Sequence, residues 1–318
     1  MKTIQVGILG IGTVGGGTYY SLVKNHDIIQ KRTGLDIKVV RGFGRREKSE
    51  VPVALRTKDP YEIIDAPDID IVAEALSGAE PATEFMIKAM RNGKHVVTSN
   101  KAAIAANYPK LRDIARENGV QLLFEASVGS AIPILSVIDA PLLGNNFLEI
   151  KGILNGTTNY ILTKMEEGAE YADALADAQA KGFAEADPTA DVEGFDAANK
   201  LSILIARAFD TYIPPSAIPT TGITAITKAD IKEASAQGLK IKLVAHASIN
   251  PDWSIEAHIA PEKLPLHHPL SGVYNEFNAI YVRGDIAGEL MFYGPGAGAL
   301  PAASAVVGDI IAVATKAL

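Results

Sequence analysis

The first 130 residues alternate short β-branched segments with helical ones, and this alternation restricts the fold more than any other feature of the chain. The segments typical of buried strands are Ile4 to Leu9, Ile37 to Val40, Ile69 to Ala73, Lys94 to Thr98 and Val120 to Phe124. The helical segments between them are Val14 to Lys31, Ala82 to Asn92 and Ala102 to Asn118. Strands and helices in alternation predict a parallel, doubly wound α/β sheet.

The pattern changes after about Ser130. Helical segments dominate up to Phe209, and strand-like segments follow at Lys240 to Ile249, Ser254 to Ile259 and Phe277 to Arg283. This mixture predicts an α+β domain. A sheet shared between two subunits is one arrangement open to the strands between Lys240 and Arg283, and we expect a homodimer. We therefore expect a first domain at residues 1–130, completed by a C-terminal helix at 300–318. Residues 131–299 are expected to form the catalytic, substrate-binding and dimerisation domain.

A glycine-rich turn follows the first predicted strand and opens the first helix. It reads Gly10-Ile11-Gly12-Thr13-Val14-Gly15, the G-x-G-x-x-G pattern. Glycines there let the backbone approach a pyrophosphate, which the positive end of the helix then stabilises. The sequence therefore predicts a Rossmann-type site for a dinucleotide, with contacts from Gly10, Gly12, Thr13, Val14 and Gly15.

The end of the second strand indicates which dinucleotide is bound. An acid there would hold the ribose 2′-hydroxyl of NAD, but the segment from Val40 to Arg46 has no acid and three arginines. Arginine suits a 2′-phosphate, so Arg41 and Arg45 are predicted to let NADP bind at least as well as NAD. The alternative is that these arginines form a solvated basic loop.

Composition excludes several classes of protein. A net charge of −7 argues against nucleic acid or an anionic membrane as partner. The absence of cysteine excludes aldehyde dehydrogenases with a thioester intermediate and alcohol dehydrogenases with a thiolate-bound zinc, and it suits a cytoplasmic enzyme. Because Arg207 and Asp309 interrupt the longest apolar stretches, no membrane-spanning helix is expected.

A lysine in the second domain has the pattern of a proton donor. Asp196 and Lys200 are four residues apart and share a helix face, and the residues that follow (201–206) are almost wholly apolar. A buried lysine held by an aspartate can transfer a proton near neutral pH. The alternative is a solvated ion pair. Upstream, Glu185 and Asp191 supply carboxylates that suit a substrate ammonium group.

Three further segments lie where ligands are expected. Ser99-Asn100-Lys101 follows the fourth strand at the carboxyl edge of the sheet, which predicts contact with nicotinamide or substrate. The segment from Asn155 to Tyr160 enters a helix, and its Gly156 and Thr157 suit a substrate carboxylate. Glu125 to Pro133 starts the second domain. The alternatives are ordinary helix capping for the first two and a hinge for the third.

Taken together, these segments resemble homoserine dehydrogenase. The matching pieces occur in the family's order and cover nearly the whole chain: 10–15, 99–101, 125–133, 155–160, 182–200 and 294–307. The acidic segment ending in Lys200 and the C-terminal Gly/Ala segment are the specific ones. The resemblance implies a reversible, NAD(P)-dependent interconversion of L-homoserine and L-aspartate 4-semialdehyde, on the route to threonine and methionine.

The resemblance also implies roles for individual residues. Lys200 matches the acid/base lysine, Asp196 the aspartate beside it, and Lys101 a second lysine near the nicotinamide. Glu185 and Asp191 match acids that hold the substrate. Ser99 and Gly296 lie in segments that match cofactor-binding ones. A loop that can hold Na⁺ or K⁺, mostly through backbone carbonyls, matches Glu125, Val128, Ser130 and Ile132.

The chain departs from the family pattern at several points. Ser130-Ala131 stands where consecutive glycines are usual, and Gly42 where an aspartate is frequent. Many members continue into a regulatory domain of the ACT type, and the sequence ending at Leu318 suggests a short form. Two other functions stay open from the residues alone. One is a two-domain reductase of the dihydrodipicolinate reductase kind, which would not need the acids from Glu185 to Lys200. The other is a nicotinamide-binding sensor without turnover.

Overall fold

The computed structural model describes residues 2–44 and 49–316 of the chain. The chain divides into two compact units. Unit 1 comprises Met1–Ala131 and Ala297–Leu318, and unit 2 comprises Ile132–Gly296. Each unit contains its own β-sheet.

Unit 1 is built on a parallel sheet. Its strands are β1 (Lys2–Leu9), β2 (Leu35–Phe43), β3 (Arg56–Thr57), β4 (Ile71–Glu74), β5 (His95–Thr98) and β6 (Leu122–Leu123). They pair in parallel in the order β3-β2-β1-β4-β5-β6. This order reverses at β1, and such sheets bind ligands at the carboxyl ends of the strands beside that reversal. The predicted Rossmann-type fold is confirmed. The two-residue strand β3 is too short to leave a pattern in the sequence.

Helices cover the sheet of unit 1. They are α1 (Thr13–Lys24), α2 (His26–Thr33), α3 (Tyr61–Ile64), α4 (Ala82–Arg91), α5 (Lys101–Glu117) and the C-terminal helix (Ala299–Lys316). The single helix expected between Val14 and Lys31 is in fact two helices, because Asn25 ends α1 and begins α2. Its backbone ψ of 14° departs from helical geometry and redirects the chain.

The C-terminal helix belongs to the core of unit 1. Val306, Ile310 and Val313 are at most 2% exposed and share one apolar cluster with residues of β1 such as Val6 and Ile8. The approach of this helix to α1 is close, since a Cβ atom on Gly17 would lie 3.0 Å from the carbonyl oxygen of Ala299. Glycine at position 17 therefore allows the two helices to pack.

The same C-terminal helix differs from the sequence-based expectation that no apolar segment is long enough to span a membrane. With a mean hydropathy of 1.4 over 18 residues, it has the length and composition of a membrane-spanning segment, so the expectation that Asp309 keeps the C-terminal apolar stretch too short for one was wrong. However, 44% of the helix is buried inside the protein. Asp309 itself is buried, and its carboxylate accepts a hydrogen bond of 2.9 Å from the backbone amide of Glu125. These contacts are those of a core helix.

Unit 2 combines helices with an antiparallel sheet. Its helices are α6 (Leu135–Asp139), α7 (Gly156–Glu166), α8 (Tyr171–Ala180), α9 (Thr189–Val192), α10 (Phe195–Ala208) and α11 (Lys228–Ala236). Its strands are β7 (Phe147–Ile153), β8 (Leu239–Ile249), β9 (Ile255–Pro265), β10 (Phe277–Gly284) and β11 (Gly288–Pro295). They pair in the order β11-β10-β7-β8-β9. The predicted α+β character is confirmed.

The two outer strands of this sheet differ most from the prediction. Strand β9 continues past Ile259 through two prolines, which an edge strand tolerates because one side needs no backbone donors. Strand β11 was missed entirely. Its residues alternate between half-buried and exposed, so it lacks the apolar run by which buried strands are recognised.

Candidate active site

Lys200 is buried on helix α10, directly beside a carboxylate. Its side chain and that of Asp196 are each 8% exposed, and Nζ lies 2.8 Å from Asp196 Oδ2. Nζ also donates a hydrogen bond of 2.6 Å to the carbonyl oxygen of Leu154. Helix α10 is buried along most of its length, which explains why a lysine in its middle is removed from bulk water. The solvated ion pair considered from the sequence is therefore excluded.

Asn155 connects this ion pair to the rest of the acidic segment. It follows β7 after one intervening residue and caps α7, where its Oδ1 accepts a hydrogen bond of 2.9 Å from the Thr158 amide. Its Nδ2 donates to Asp191 Oδ1 at 2.7 Å and to Asp196 Oδ2 at 3.0 Å. One amide thus holds two carboxylates beside Lys200. The sequence pattern predicted Asn155 at the start of a helix, but nothing in it indicated this double contact.

Gly156 and Thr157 form the first turn of α7, next to Asn155. A Cβ atom on Gly156 would lie 2.5 Å from the carbonyl oxygen of Glu276, so only glycine fits there. The hydroxyl of Thr157 donates a hydrogen bond of 2.5 Å to the carbonyl oxygen of Phe183. This bond ties α7 to the segment that carries Glu185. The predicted carboxylate-binding role of the helix end stays a prediction.

Glu185 is exposed, as is Asp187, whereas Asp191 is half-buried and Asp196 is buried. Its backbone carbonyl accepts a hydrogen bond of 3.1 Å from Gln179 Nε2, which holds the chain while the side chain faces solvent. An exposed carboxylate can receive a substrate ammonium group without the cost of burying a charge alone. Its assignment to the substrate stays a prediction.

The glycine turn of unit 1 has the geometry of a phosphate cradle. Gly10 has a φ of +103°, and a Cβ atom there would lie 2.6 Å from the carbonyl oxygen of Ala75. A Cβ atom on Gly15 would lie 1.9 Å from the carbonyl oxygen of Gly10. Gly12 caps α1, and Thr13 and Val14 form its first turn. The positive end of α1 thus meets a turn that only glycine can form.

The basic residues predicted at the end of β2 are described in part. Arg41 lies within β2, opposite Gly7, and its Nη1 donates a hydrogen bond of 3.0 Å to Asp68 Oδ1. This contact holds the pKa of Asp68 below its ordinary value, chiefly through the hydrogen bond. Arg45 lies outside the described residues. The structure therefore shows one arginine at this strand, and it is already paired with an acid.

Ser99 and Lys101 lie on either side of a well-fixed helix cap. Asn100 caps α5 by accepting a hydrogen bond of 3.0 Å from the Ala103 amide, and its Nδ2 donates to the Gly78 carbonyl at 2.7 Å. The Ser99 amide donates to the Glu74 carbonyl at 3.2 Å. Lys101 is the first residue of α5 and is half-buried. These bonds fix the segment at the carboxyl edge of the sheet.

Glu74, at the end of β4, is a buried acid that sequence analysis missed. Its side chain is 0% exposed and accepts hydrogen bonds from the Thr98 hydroxyl at 2.5 Å and from the Leu76 amide at 2.6 Å. Burial raises the pKa of Glu74 to about 7, although these hydrogen bonds oppose the shift. The available signal was an acid directly after three apolar strand residues, at the sheet edge where ligands bind.

The predicted cation loop contains an unusual serine. Ser130 has a φ of +54°, in the left-handed region that favours glycine, and its buried hydroxyl has no hydrogen-bond partner among the described residues. Glu125 and Val128 are buried in the same loop of unit 1, and Ile132 is the first residue of unit 2. A partnerless oxygen in a tight loop fits an oxygen-liganded cation.

Gly296, predicted to contact the cofactor, is the last residue of unit 2. A Cβ atom there would lie 2.0 Å from Asn278 Cγ, so the position requires glycine. The predicted site residues fall into two sets. Unit 1 holds the glycine turn, Ser99, Lys101 and the start of the cation loop. Unit 2 brings Asp191, Asp196 and Lys200 together around Asn155.

This arrangement can perform two chemical tasks. A buried ammonium group in contact with a carboxylate can deliver a proton to an oxygen on which negative charge develops. The glycine cradle can hold the pyrophosphate of a dinucleotide at the positive end of a helix. Together these are the requirements for carbonyl reduction and its reverse, alcohol oxidation.

Comparison with known proteins gives a consistent result. Residues 133–311 match the family model described as homoserine dehydrogenase, and residues 10–125 match the one described as the homoserine dehydrogenase NAD binding domain. Homoserine dehydrogenase of Bacillus subtilis is 42% identical over 98% of this chain, which spans 73% of that protein.

Solved structures agree with these matches. A homoserine dehydrogenase from Thiobacillus denitrificans superposes with a TM-score of 0.97 at 40% identity, covering 100% of this chain and 74% of that one. A hyperthermophilic archaeal homoserine dehydrogenase in complex with NADPH superposes with a TM-score of 0.83 at 29% identity, covering 99% of this chain and 98% of that one.

Proposed function

The chain belongs to the homoserine dehydrogenase family, and on that premise we propose that Lys200 is the acid/base group of an NAD(P)-dependent oxidation of L-homoserine to L-aspartate 4-semialdehyde. The protein is an oxidoreductase that acts on a CH–OH group. The observation that carries the proposal is the buried contact of 2.8 Å between Lys200 and Asp196. The reductase alternative, which does not need these acids, and the sensor without turnover are both disfavoured by the family match.

Lys200 moves the proton of the reaction. A nicotinamide dinucleotide, when bound at the glycine cradle, would provide the hydride chemistry. During aldehyde reduction, negative charge develops on the carbonyl oxygen, and the Lys200 ammonium group donates a proton to it. During alcohol oxidation, the neutral amine accepts the hydroxyl proton. Asp196 and the Leu154 carbonyl orient Nζ for both directions. Lys101, at the start of α5, stays a predicted second catalytic lysine.

The neighbouring residues suit the two charged ends of homoserine. Glu185 is exposed and carries a negative charge that complements the substrate ammonium group. Asp191 adds a second carboxylate, which Asn155 holds in place at 2.7 Å. The first turn of α7, with Gly156 and Thr157, offers the positive end of a helix to the substrate carboxylate.

The cofactor is a nicotinamide dinucleotide, and we infer that NADP is accepted at least as well as NAD. The glycine cradle supports dinucleotide binding, because the tight turn that forms it leaves no room for a Cβ atom at Gly10 or Gly15. Arg41 supports the acceptance of NADP through its positive charge. Its hydrogen bond to Asp68 works against this, since a 2′-phosphate must compete with that carboxylate.

We make three further inferences, each from one observation. The partnerless hydroxyl of Ser130 supports Na⁺ or K⁺ binding in the loop with Glu125 and Val128. Exposed apolar side chains on strand β11, Met291 and Tyr293, support a homodimer. The absence of cysteine supports a cytoplasmic location.

Steady-state kinetics test the proposed function. Homoserine oxidation is followed by the formation of NADPH and of NADH, side by side, with the wild type and the Lys200→Ala variant. We expect kcat of Lys200→Ala to fall by about 10² to 10⁴, the usual contribution of one acid/base group. The affinity for NADP, measured by fluorescence titration, should stay unchanged. Glu185→Gln should mainly raise the KM for homoserine.

The matched control is Lys232→Ala, which removes an exposed lysine from α11. It should leave kcat unchanged. A Lys200→Ala variant whose kcat stays within a few-fold of the wild type would reject the assigned role. A wild-type enzyme that oxidises no homoserine with either cofactor would reject the proposed reaction itself.

A further inference from the structure

Two histidines and a glutamate converge on one face of the antiparallel sheet in unit 2. His246 on β8 and His258 on β9 lie directly opposite each other in the strand register, with ring centroids 5.1 Å apart. Glu262 lies four residues further along β9, and its Oε1 is 3.1 Å from His258 Nε2. One nitrogen or oxygen atom from each of the three side chains lies within 4.8 Å of the others.

The two strands that carry these side chains are fully paired with each other. The three side chains are also partly exposed, which leaves the cluster accessible to small ions. Strands β8 and β9 pair along their full length of eleven residues each. The side chains of His246, His258 and Glu262 are 19%, 30% and 23% exposed, respectively. An ion could therefore reach them without local unfolding.

The cluster lies on the sheet face opposite the one that meets helix α10. Side chains alternate between faces along a strand, so His258 and Ile259 point to opposite sides. Ile259 faces the start of α10, because a Cβ atom on Gly194 would lie 3.1 Å from Ile259 Cγ2. The histidine cluster is thus separated from the Lys200 helix by the thickness of the sheet.

Glu149 on β7 adds a charged neighbour. Its Oε1 lies 3.2 Å from His246 Nε2 and 3.3 Å from Lys151 Nζ, and its Oε2 lies 3.3 Å from Arg283 Nε. The pKa of Glu149 is lowered to about 2, chiefly by the hydrogen bond to His246, so this carboxylate stays ionised. Because two cations already engage it, Glu149 is suited to orient His246 rather than to bind an ion itself.

We propose that His246, His258 and Glu262 bind a divalent transition-metal ion of the zinc type. Two imidazoles and one carboxylate form a ligand set that such ions favour, with the remaining position left to water. The ion would link β8 to the edge strand β9 and replace the hydrogen bond between His258 and Glu262. The site is separate from the proposed proton transfer at Lys200, so the two proposals can fail independently.

Calorimetric titration with Zn²⁺ tests the site on protein first stripped with a chelator. We expect one high-affinity ion per chain. His246→Ala, His258→Ala and Glu262→Gln should each weaken binding by more than about tenfold, since even loss of an outer neighbour of a metal ligand costs that much. Cobalt(II) absorption reports whether imidazole nitrogens enter the coordination sphere.

The matched control is His267→Ala, which removes an exposed histidine outside the cluster and should leave binding unchanged. Far-UV circular dichroism and homoserine oxidation verify that each variant is folded. Wild-type protein without measurable Zn²⁺ binding would overturn the proposal, because the residues would then be ordinary hydrogen-bonded pairs. Binding that persists in both histidine variants would overturn it as well, since the ion would then lie elsewhere.

Discussion

The side chain of Asn155 has two structural roles. Its oxygen caps α7 through the Thr158 amide, while its nitrogen donates to Asp191 and Asp196. The carboxylate of Asp196 also lies 2.8 Å from the Lys200 ammonium group. An amide nitrogen that bridges two negative charges lowers their mutual repulsion and fixes the carboxylate of Asp196 against Lys200.

Two variants of Asn155 distinguish its role as a helix cap from its role as a bridge between the two carboxylates. Serine can still cap a helix but cannot bridge the carboxylates, whereas alanine does neither. Hydrogen bonds to charged groups contribute about 1.5 to 3 kcal/mol, so both variants should lower kcat by roughly 10- to 100-fold. Only Asn155→Ala should also lose the capping free energy of about 0.5 to 2 kcal/mol, measured by urea unfolding.

An Asn155→Ser variant with wild-type kcat would show that the bridge to the carboxylates is dispensable. If Asn155→Ser instead lost as much stability as Asn155→Ala, the cap and the bridge could not be distinguished as separate contributions of this side chain. The first result would contradict the role of Asn155 in positioning the carboxylates. The second would contradict the separation of its capping role from its bridging role.

Whether a contact between two residues could be predicted from the sequence depended on how far apart the two residues lie along the chain. The contact between Asp196 and Lys200 was predictable because a helix brings residues four apart together. The bridge from Asn155 to Asp191 spans 36 residues, and no local pattern encodes it. Glu74 was missed for a related reason, since its partners Thr98 and Asn100 lie on the next strand and helix.

At the scale of elements, Glu74 connects the segments that follow two neighbouring strands. It accepts from the Leu76 amide after β4 and from the Thr98 hydroxyl at the end of β5. Both segments border the carboxyl edge of the parallel sheet, where the glycine turn also lies. With a pKa raised to about 7, this link between elements changes its charge near neutral pH.

The pKa of Glu74 predicts a pH-dependent stability. Its ordinary value is 4.5, so between there and about 7 the folded protein keeps a proton that the unfolded chain has lost. The stabilisation is complete below the lower value and is lost as pH rises through the higher one. We expect a contribution on the order of 3 kcal/mol to disappear between about pH 5 and about pH 8.

Urea unfolding of the wild type and of Glu74→Gln at both pH values measures this contribution, since glutamine cannot ionise. The variant should lose less stability than the wild type as pH rises. Glu84→Gln, an exposed acid on α4, serves as the control and should follow the wild type. Parallel pH profiles for the wild type and Glu74→Gln would contradict the assigned pKa.

Secondary-structure elements were predicted correctly where a segment had one clear hydrophobic pattern. The five apolar strands of unit 1 were all located, because strands buried on both faces are apolar along their length. Strand β11 escaped because it lies at a sheet edge, with half of its side chains exposed. The break between α1 and α2 escaped because Asn25 suits a helix end no more than several other residues of that segment.

At the scale of the whole molecule, edge strand β11 predicts a dimer. Tyr293 is 53% exposed although its ring stacks on Phe277 at a centroid distance of 5.2 Å, and Met291 is 41% exposed. Apolar side chains exposed together mark interaction surfaces. We expect the protein to sediment as a dimer and Tyr293→Lys to shift it towards monomer.

Sedimentation velocity over a range of protein concentrations measures this equilibrium. Val23→Lys is the control, since Val23 is 58% exposed on α1 of unit 1 and should leave the dimer intact. A monomeric wild type would contradict the expectation. So would a Tyr293→Lys variant that dimerises as the wild type does.

Composition and the change of pattern after about Ser130 were enough to predict the fold class of both parts of the molecule. The sequence could not reveal the strand order within the antiparallel sheet, because β7 pairs with β8 and β10, which lie far along the chain. Long-range pairing of this kind depends on packing of the complete unit rather than on any segment alone.

Unit 1 is assembled from two separate stretches of the chain, with all of unit 2 between them. This has a consequence for synthesis. A ribosome delivers the parallel sheet before unit 2, and the helix that supplies Val306, Ile310 and Val313 to its core only after unit 2. Unit 2 is complete before unit 1 is, so the nascent dinucleotide-binding unit keeps apolar surface uncovered until that helix has been made. That interval is when chaperones would bind this chain, and a gene rearranged to encode the C-terminal helix first would shorten it.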